Sequence, residues 1–175
     1  MSFSRYMLSG NNLFTNMNHS PLIRLTKQFR FEAAHALWNY DGACRNIHGH
    51  SYVLDVTLCG RPLDDPENPK HGMVIDFSVL KKIVHEQIID VFDHALMVNA
   101  HTPHAGMVSD GKIFGKVLAL PYQPTCENLI DDFAKRLASV LPERVALHSL
   151  RLHETTTSYA EWHASDNPPV QKPTE

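Results

Sequence analysis

Ile23-Arg24-Leu25-Thr26-Lys27-Gln28-Phe29-Arg30-Phe31-Glu32-Ala33 alternates apolar and polar residues, with Lys27 the one break. A period of two marks a strand with one face in a core and the other in water. His35 falls at the end of the apolar face. A second stretch, from about His48 to Cys59, repeats the pattern, with Tyr52, Leu54, Val56 and Leu58 on one face and Ser51, Asp55 and Thr57 on the other. His48 and His50 share the parity of its apolar face. If the two strands pair antiparallel, the end of the first meets the start of the second on the same face of the sheet. Strand parity alone then gathers His35, His48 and His50.

Outward from these strands, Ala36 to Ile47 reads as a loop, and Arg61 to Gly72 as turn chemistry with three prolines. Asp76 is placed to cap a helix running to about Asp90, because Phe77, Leu80, Ile83, Val84 and Ile88 follow at helical spacing. Val98 to Gln123 is a long connection, which functions or holds short structure of its own in a compact domain; Lys116 to Leu120 suits a short strand. Thr125 caps a second helix carrying Leu129, Ile130, Phe133, Leu137 and Val140 as its stripe, with Pro142 ending it. Val145 to Glu154 alternates again, and Thr155 to Trp162 suits a last short strand. The pattern predicts an α+β domain over residues 23–165, a flexible extension over 1–22 and a disordered Pro-rich tail over 166–175.

Composition narrows the function classes. Lys+Arg number 16 against 19 Asp+Glu, a formal charge of −3, so no overall basic field argues for nucleic acid or an anionic membrane. No apolar run approaches the roughly 20 residues of a membrane helix. Residues 1 to 21 lack the apolar core of a secretory signal, and the three cysteines form no framework. A cytoplasmic protein with free thiols is expected. An anionic substrate would need local basic residues, for which Lys27, Arg45, Lys81, Lys82 and Lys116 are candidates.

Three histidines are the usual complement of a catalytic zinc that keeps its fourth position open. The competing reading makes each a strand-end histidine bonded to backbone, and imidazoles alone do not exclude iron. Cys44 lies four residues before His48. A small buried thiol is the common reading, but a thiol beside a divalent metal ionises more readily and becomes a usable base. Asp93-His94 pairs a carboxylate with an imidazole just past a helix. Glu154 ends a strand, where a buried carboxylate could accept paired N–H bonds from a heterocycle.

Phe31-Glu32-Ala33-Ala34-His35, Cys44 with His48-Gly49-His50, Val74-Ile75-Asp76-Phe77, Asp93-His94, Pro124-Thr125-Cys126-Glu127-Asn128 and His153-Glu154-Thr155 resemble the motifs of the 6-pyruvoyl-tetrahydropterin synthase family in order and approximate spacing. The resemblance runs from about Leu25 to Trp162. The three residues between Cys44 and His48 are similar to the 6-carboxy-tetrahydropterin synthase branch of queuosine biosynthesis; the pyruvoyl-forming branch typically has a longer gap. Ala95 follows Asp93-His94 where carboxy-forming members often carry a second histidine. The resemblance implies a tunnelling fold, a small antiparallel sheet with two helices on one face whose sheets join into a barrel on oligomerisation. It implies Zn2+ on His35, His48 and His50, Cys44 as base, Asp93 and His94 as a proton relay, Glu154 as the pterin anchor and Thr125 lining the pterin pocket. The implied substrate is 7,8-dihydroneopterin triphosphate, converted to 6-carboxy-5,6,7,8-tetrahydropterin with loss of acetaldehyde and triphosphate in a homohexamer with sites at subunit interfaces. Rival expectations are the pyruvoyl-forming or dihydroneopterin-cleaving activity, and a non-catalytic, zinc-stabilised pterin-binding module.

Overall fold

A computed structural model describes residues 21–108 and 113–169. Strand β1 (Ile23–His35) pairs antiparallel with β2 (His48–Gly60) over their whole length, Ile23 opposite Gly60 and His35 opposite His48. β2 pairs antiparallel with β5 (Val145–His153), and β5 with β6 (Tyr159–His163). At the other side of β1 lie β3 (Ala95–Asn99) and β4 (Val117–Leu120), both parallel, so the six-stranded sheet runs β4-β3-β1-β2-β5-β6.

The antiparallel sheet expected from the alternating stretches is therefore present and extended by a parallel pair. The sequence hides β3 because Ala95, Leu96, Met97 and Val98 are all buried and show no period. The 98–123 connection holds β4 at the expected place and a short helix, α2 (Pro103–Val108).

Helix α1 (Phe77–Val84) continues without a break through a π turn, His85–Ile89, and a last α turn, Asp90–Phe92. Asp76 caps it, its Oδ1 accepting from the Ser78 N–H at 2.8 Å, and Lys70 pairs with its other oxygen. Helix α3 (Cys126–Val140) begins at Thr125, whose hydroxyl accepts from the Asn128 N–H at 3.4 Å. Its stripe buries Leu129, Ile130, Phe133 and Leu137. Phe133 meets Phe31 of β1 and Phe92 of the first helical segment edge to face, so both helices cover one face of the sheet. Tyr52, Leu54, Val56 and Leu58 supply the other side of this core, each fully buried.

The opposite face carries polar cross-strand partners: Thr26 with Thr57 at 2.8 Å, Gln28 with Asp55 at 3.0 Å, Ser51 with Glu32 at 2.7 Å and Arg151 with Glu161 at 2.7 Å. Each pair is directly opposite in the ladder, where side chains meet. Most of the 1–22 extension and residues 170–175 of the tail lie outside the described residues. The start of the tail turns back on β6, with the Asp166 N–H and the Asn167 side-chain amide both donating to the His163 carbonyl. No helix among the described residues is long and apolar enough to cross a membrane.

Candidate active site

The site grows from the end of the β1–β2 ladder. Ala33 stands opposite His50 and His35 opposite His48, so three imidazoles occupy adjacent places on the buried face. Their metal-ligating atoms lie within 4.8 Å of one another. His35 is almost fully buried at 1% exposure. Burial holds the His35 and His50 imidazoles below the ordinary histidine value, and each favours its neutral form.

Backbone carbonyls fix the tautomers. His35 Nδ1 donates to the Pro124 carbonyl at 2.7 Å, and His48 Nδ1 donates to the Asn46 carbonyl at 2.8 Å. With both Nδ1 atoms committed to carbonyls, the two Nε2 atoms point inward and face each other at 3.1 Å, an approach that two lone pairs do not favour. His50 Nε2 is also buried without a hydrogen-bond partner, which for a buried polar atom costs about 1–3 kcal/mol. A cation among the three nitrogens would relieve both defects, and the outer carbonyls are the supports that metal-binding histidines use. The donor set therefore fits a metal ion such as zinc.

Glu154 sits at the β5–β6 turn, its N–H bonded to the Ser158 carbonyl. Its Oε1 lies 3.8 Å from both His35 Nε2 and His50 Nε2 and accepts from the Tyr52 hydroxyl at 3.4 Å. A cleft of about 90 Å3 opens beside it, lined by Cys126, Glu127, Ser158 and Tyr159. Thr125 directly follows the Pro124 carbonyl that holds His35, and its hydroxyl is engaged in capping α3. Cys44 lies in a 3-10 turn, Ala43–Arg45, two residues before the Asn46 carbonyl that orients His48. Its own carbonyl accepts from the Leu37 N–H at 2.9 Å, and its side chain is half-buried. Cys126 differs: it is buried, its thiol donates to the Leu152 carbonyl, and burial pushes its pKa up to about 12.

Asp93 and His94 form a hydrogen-bonded pair, Oδ2 to Nδ1 at 3.0 Å. The Asp93 carboxylate is held below its usual range chiefly because its Oδ1 accepts from the Glu32 N–H at 2.9 Å. His94 has a left-handed backbone, φ 58°, pinned by its N–H to the Glu32 carbonyl. Its ring is 77% exposed. It borders a cavity of about 470 Å3 with Glu32, Ala34, Gly49, His50, Ser51 and Lys116. Glu32, Ala34, Gly49 and Ser51 have the opposite parity to His35, His48 and His50, so the dyad borders mainly the face turned away from the triad, of which the cavity includes His50.

The strand pattern thus anticipates the triad, whereas it misses the groups that hold it. The Pro124 and Asn46 carbonyls carry no sequence signal. In the sequence Tyr52 falls on the apolar face, and only its parity with His50 hints that its hydroxyl reaches the site.

A profile of the family described as 6-pyruvoyl tetrahydropterin synthase matches residues 24–165. A Haemophilus influenzae protein named 6-carboxy-5,6,7,8-tetrahydropterin synthase is 34% identical over 143 residues, covering 81% of this chain and 99% of its own. The Bacillus subtilis protein of the same name is 28% identical over 150 residues, covering 85% and 90%. The solved structure of Caenorhabditis elegans 6-pyruvoyl tetrahydropterin synthase matches with a TM-score of 0.59 and 26% identity, over 82% of this chain and 96% of that one.

Proposed function

The chain belongs to the 6-pyruvoyl tetrahydropterin synthase family, and from that premise we propose that it is a zinc-dependent carbon–carbon lyase. Its reaction converts 7,8-dihydroneopterin triphosphate to 6-carboxy-5,6,7,8-tetrahydropterin, releasing acetaldehyde and triphosphate, for queuosine biosynthesis. The observation that carries the metal chemistry is the convergence of His35, His48 and His50, whose ligating atoms lie within 4.8 Å of one another with His50 Nε2 buried and without a hydrogen-bond partner. The branch rests on relatives named for the carboxy-forming activity and on the three-residue interval between Cys44 and His48. Three free thiols support a cytoplasmic location.

His35, His48 and His50 would hold the zinc ion, which when bound would supply Lewis acidity at the substrate side chain. Glu154, kept in place by the Tyr52 hydroxyl, accepts paired N–H bonds from the pterin ring, and Thr125 borders the same end of the site. Cys44, in its half-buried turn, acts as the base that removes a side-chain proton. His94 exchanges a second proton at Nε2, because its Nδ1 is occupied by Asp93. Because the dyad borders mainly the face of opposite parity to the triad, His94 and Asp93 of one copy serve the triad of another, as in a homohexamer with sites at subunit interfaces.

Replacing Cys44 by Ala tests the catalytic reading against that of a pterin-binding module. The variant should fold and keep its metal, while kcat falls by at least about 100-fold, the lower range for losing a general base. An unchanged rate would remove Cys44 from the mechanism. One feature departs from the carboxy-forming pattern: Ala95 follows His94 where those members often carry a second histidine.

A further inference from the structure

Resting on the functional reading above, we propose that Lys116 is a positioning residue for the Asp93–His94 dyad and does not bind the substrate's triphosphate. The sequence makes Lys116 one of several cations free to receive phosphate. In the structure two of its three ammonium N–H groups are engaged: Nζ donates to the Asp90 carbonyl at 2.9 Å and to the Asp93 carbonyl at 2.7 Å. Both carbonyls belong to the end of the segment that runs from α1 through the π turn, where the last C=O groups have no partner within the helix. Glycine commonly closes such an end, and a lysine near the terminus can do so instead. Here the chain leaves the helix through Asp93 in an extended conformation and then His94 in a left-handed one.

A left-handed histidine is uncommon and must be held by its surroundings. Three restraints converge on it. The Glu32 N–H binds the Asp93 carboxylate, the His94 N–H binds the Glu32 carbonyl, and Lys116 binds the peptide oxygen between Asp93 and His94. Lys116 is itself anchored, because its carbonyl accepts from the Leu96 N–H at 3.0 Å just before β4 starts. The ammonium therefore ties the β3–β4 edge to the peptide that carries the relay histidine, and fixes where the ring projects.

Lys116→Met and Lys116→Arg, assayed with 7,8-dihydroneopterin triphosphate, separate positioning from phosphate binding. Positioning predicts that Lys116→Met keeps KM within about twofold and loses kcat by ~10- to 100-fold, the range expected when a proton-transfer group is misplaced by about an ångström. Lys116→Arg, which also offers several N–H donors, should recover most of kcat. Amide hydrogen exchange at His94 should quicken in Lys116→Met and stay slow through the centre of β1. A large rise in KM with kcat preserved would overturn the proposal in favour of a triphosphate contact, as would unchanged kcat and exchange. If the wild type does not turn over this substrate, the functional reading fails, and the exchange comparison still decides whether Lys116 holds the dyad.

Discussion

At the scale of single residues, the site depends on which ring nitrogens are free. The Pro124 and Asn46 carbonyls accept hydrogen bonds from Nδ1 of His35 and His48, leaving Nε2 of each to point inward, and His50 Nε2 joins them unpaired. Removing one imidazole leaves two ligands, too few for the usual four-coordinate zinc with three protein donors. His48→Ala should therefore lose the metal, measured as metal per chain by elemental analysis, while β2 still pairs with β1 through backbone. Retention of one metal per chain by this variant would mean that the ion is held elsewhere. The three cysteines divide by the same local logic. Cys126 is a buried thiol with a carbonyl partner and a pKa pushed up to about 12, whereas Cys44 is half-exposed in a turn beside the triad.

Among the elements, Thr125 raises a question of role, since the family resemblance puts it at the pterin pocket and the structure shows it capping α3. Loss of an N-cap hydroxyl costs about 0.5–2 kcal/mol. Thr125→Ala should lower the unfolding free energy by that amount in denaturant titration, and a rise in KM alongside would add the pocket role. A full-strength cap with altered KM would leave only the pocket. The caps at Asp76 and Thr125 and the strands β1, β2 and β5 were legible because each expresses its period or its capping chemistry locally. β3 was not, since a strand buried on both faces shows no alternation. The π turn at His85–Ile89 was equally silent, because the buried Leu80, Val84, Ile88 and Phe92 keep an i, i+4 spacing that reads as an ordinary helix. The triad was legible through parity, while the separation of the dyad from it was hidden in β3. That strand fixes the face on which His94 emerges, and nothing in its sequence announces its parallel pairing with β1.

For the whole molecule, the sheet ends in β4 on one side and β6 on the other, and neither has a further strand partner within the described chain. Open edges invite pairing, and joining sheets into a barrel would cover them. A site shared between copies makes a specific prediction: mixing inactive Cys44→Ala with inactive His94→Ala, then dissociating and reassembling the oligomers, should restore part of the activity. In mixed assemblies some sites combine an intact Cys44 with an intact His94 of a neighbour. Restoration would not occur if each chain built its site alone. Mass spectrometry of the products formed from 7,8-dihydroneopterin triphosphate tests the proposed reaction itself. The expected products are 6-carboxy-5,6,7,8-tetrahydropterin, acetaldehyde and triphosphate; a 6-pyruvoyl product without acetaldehyde would rule the carboxy-forming reaction out.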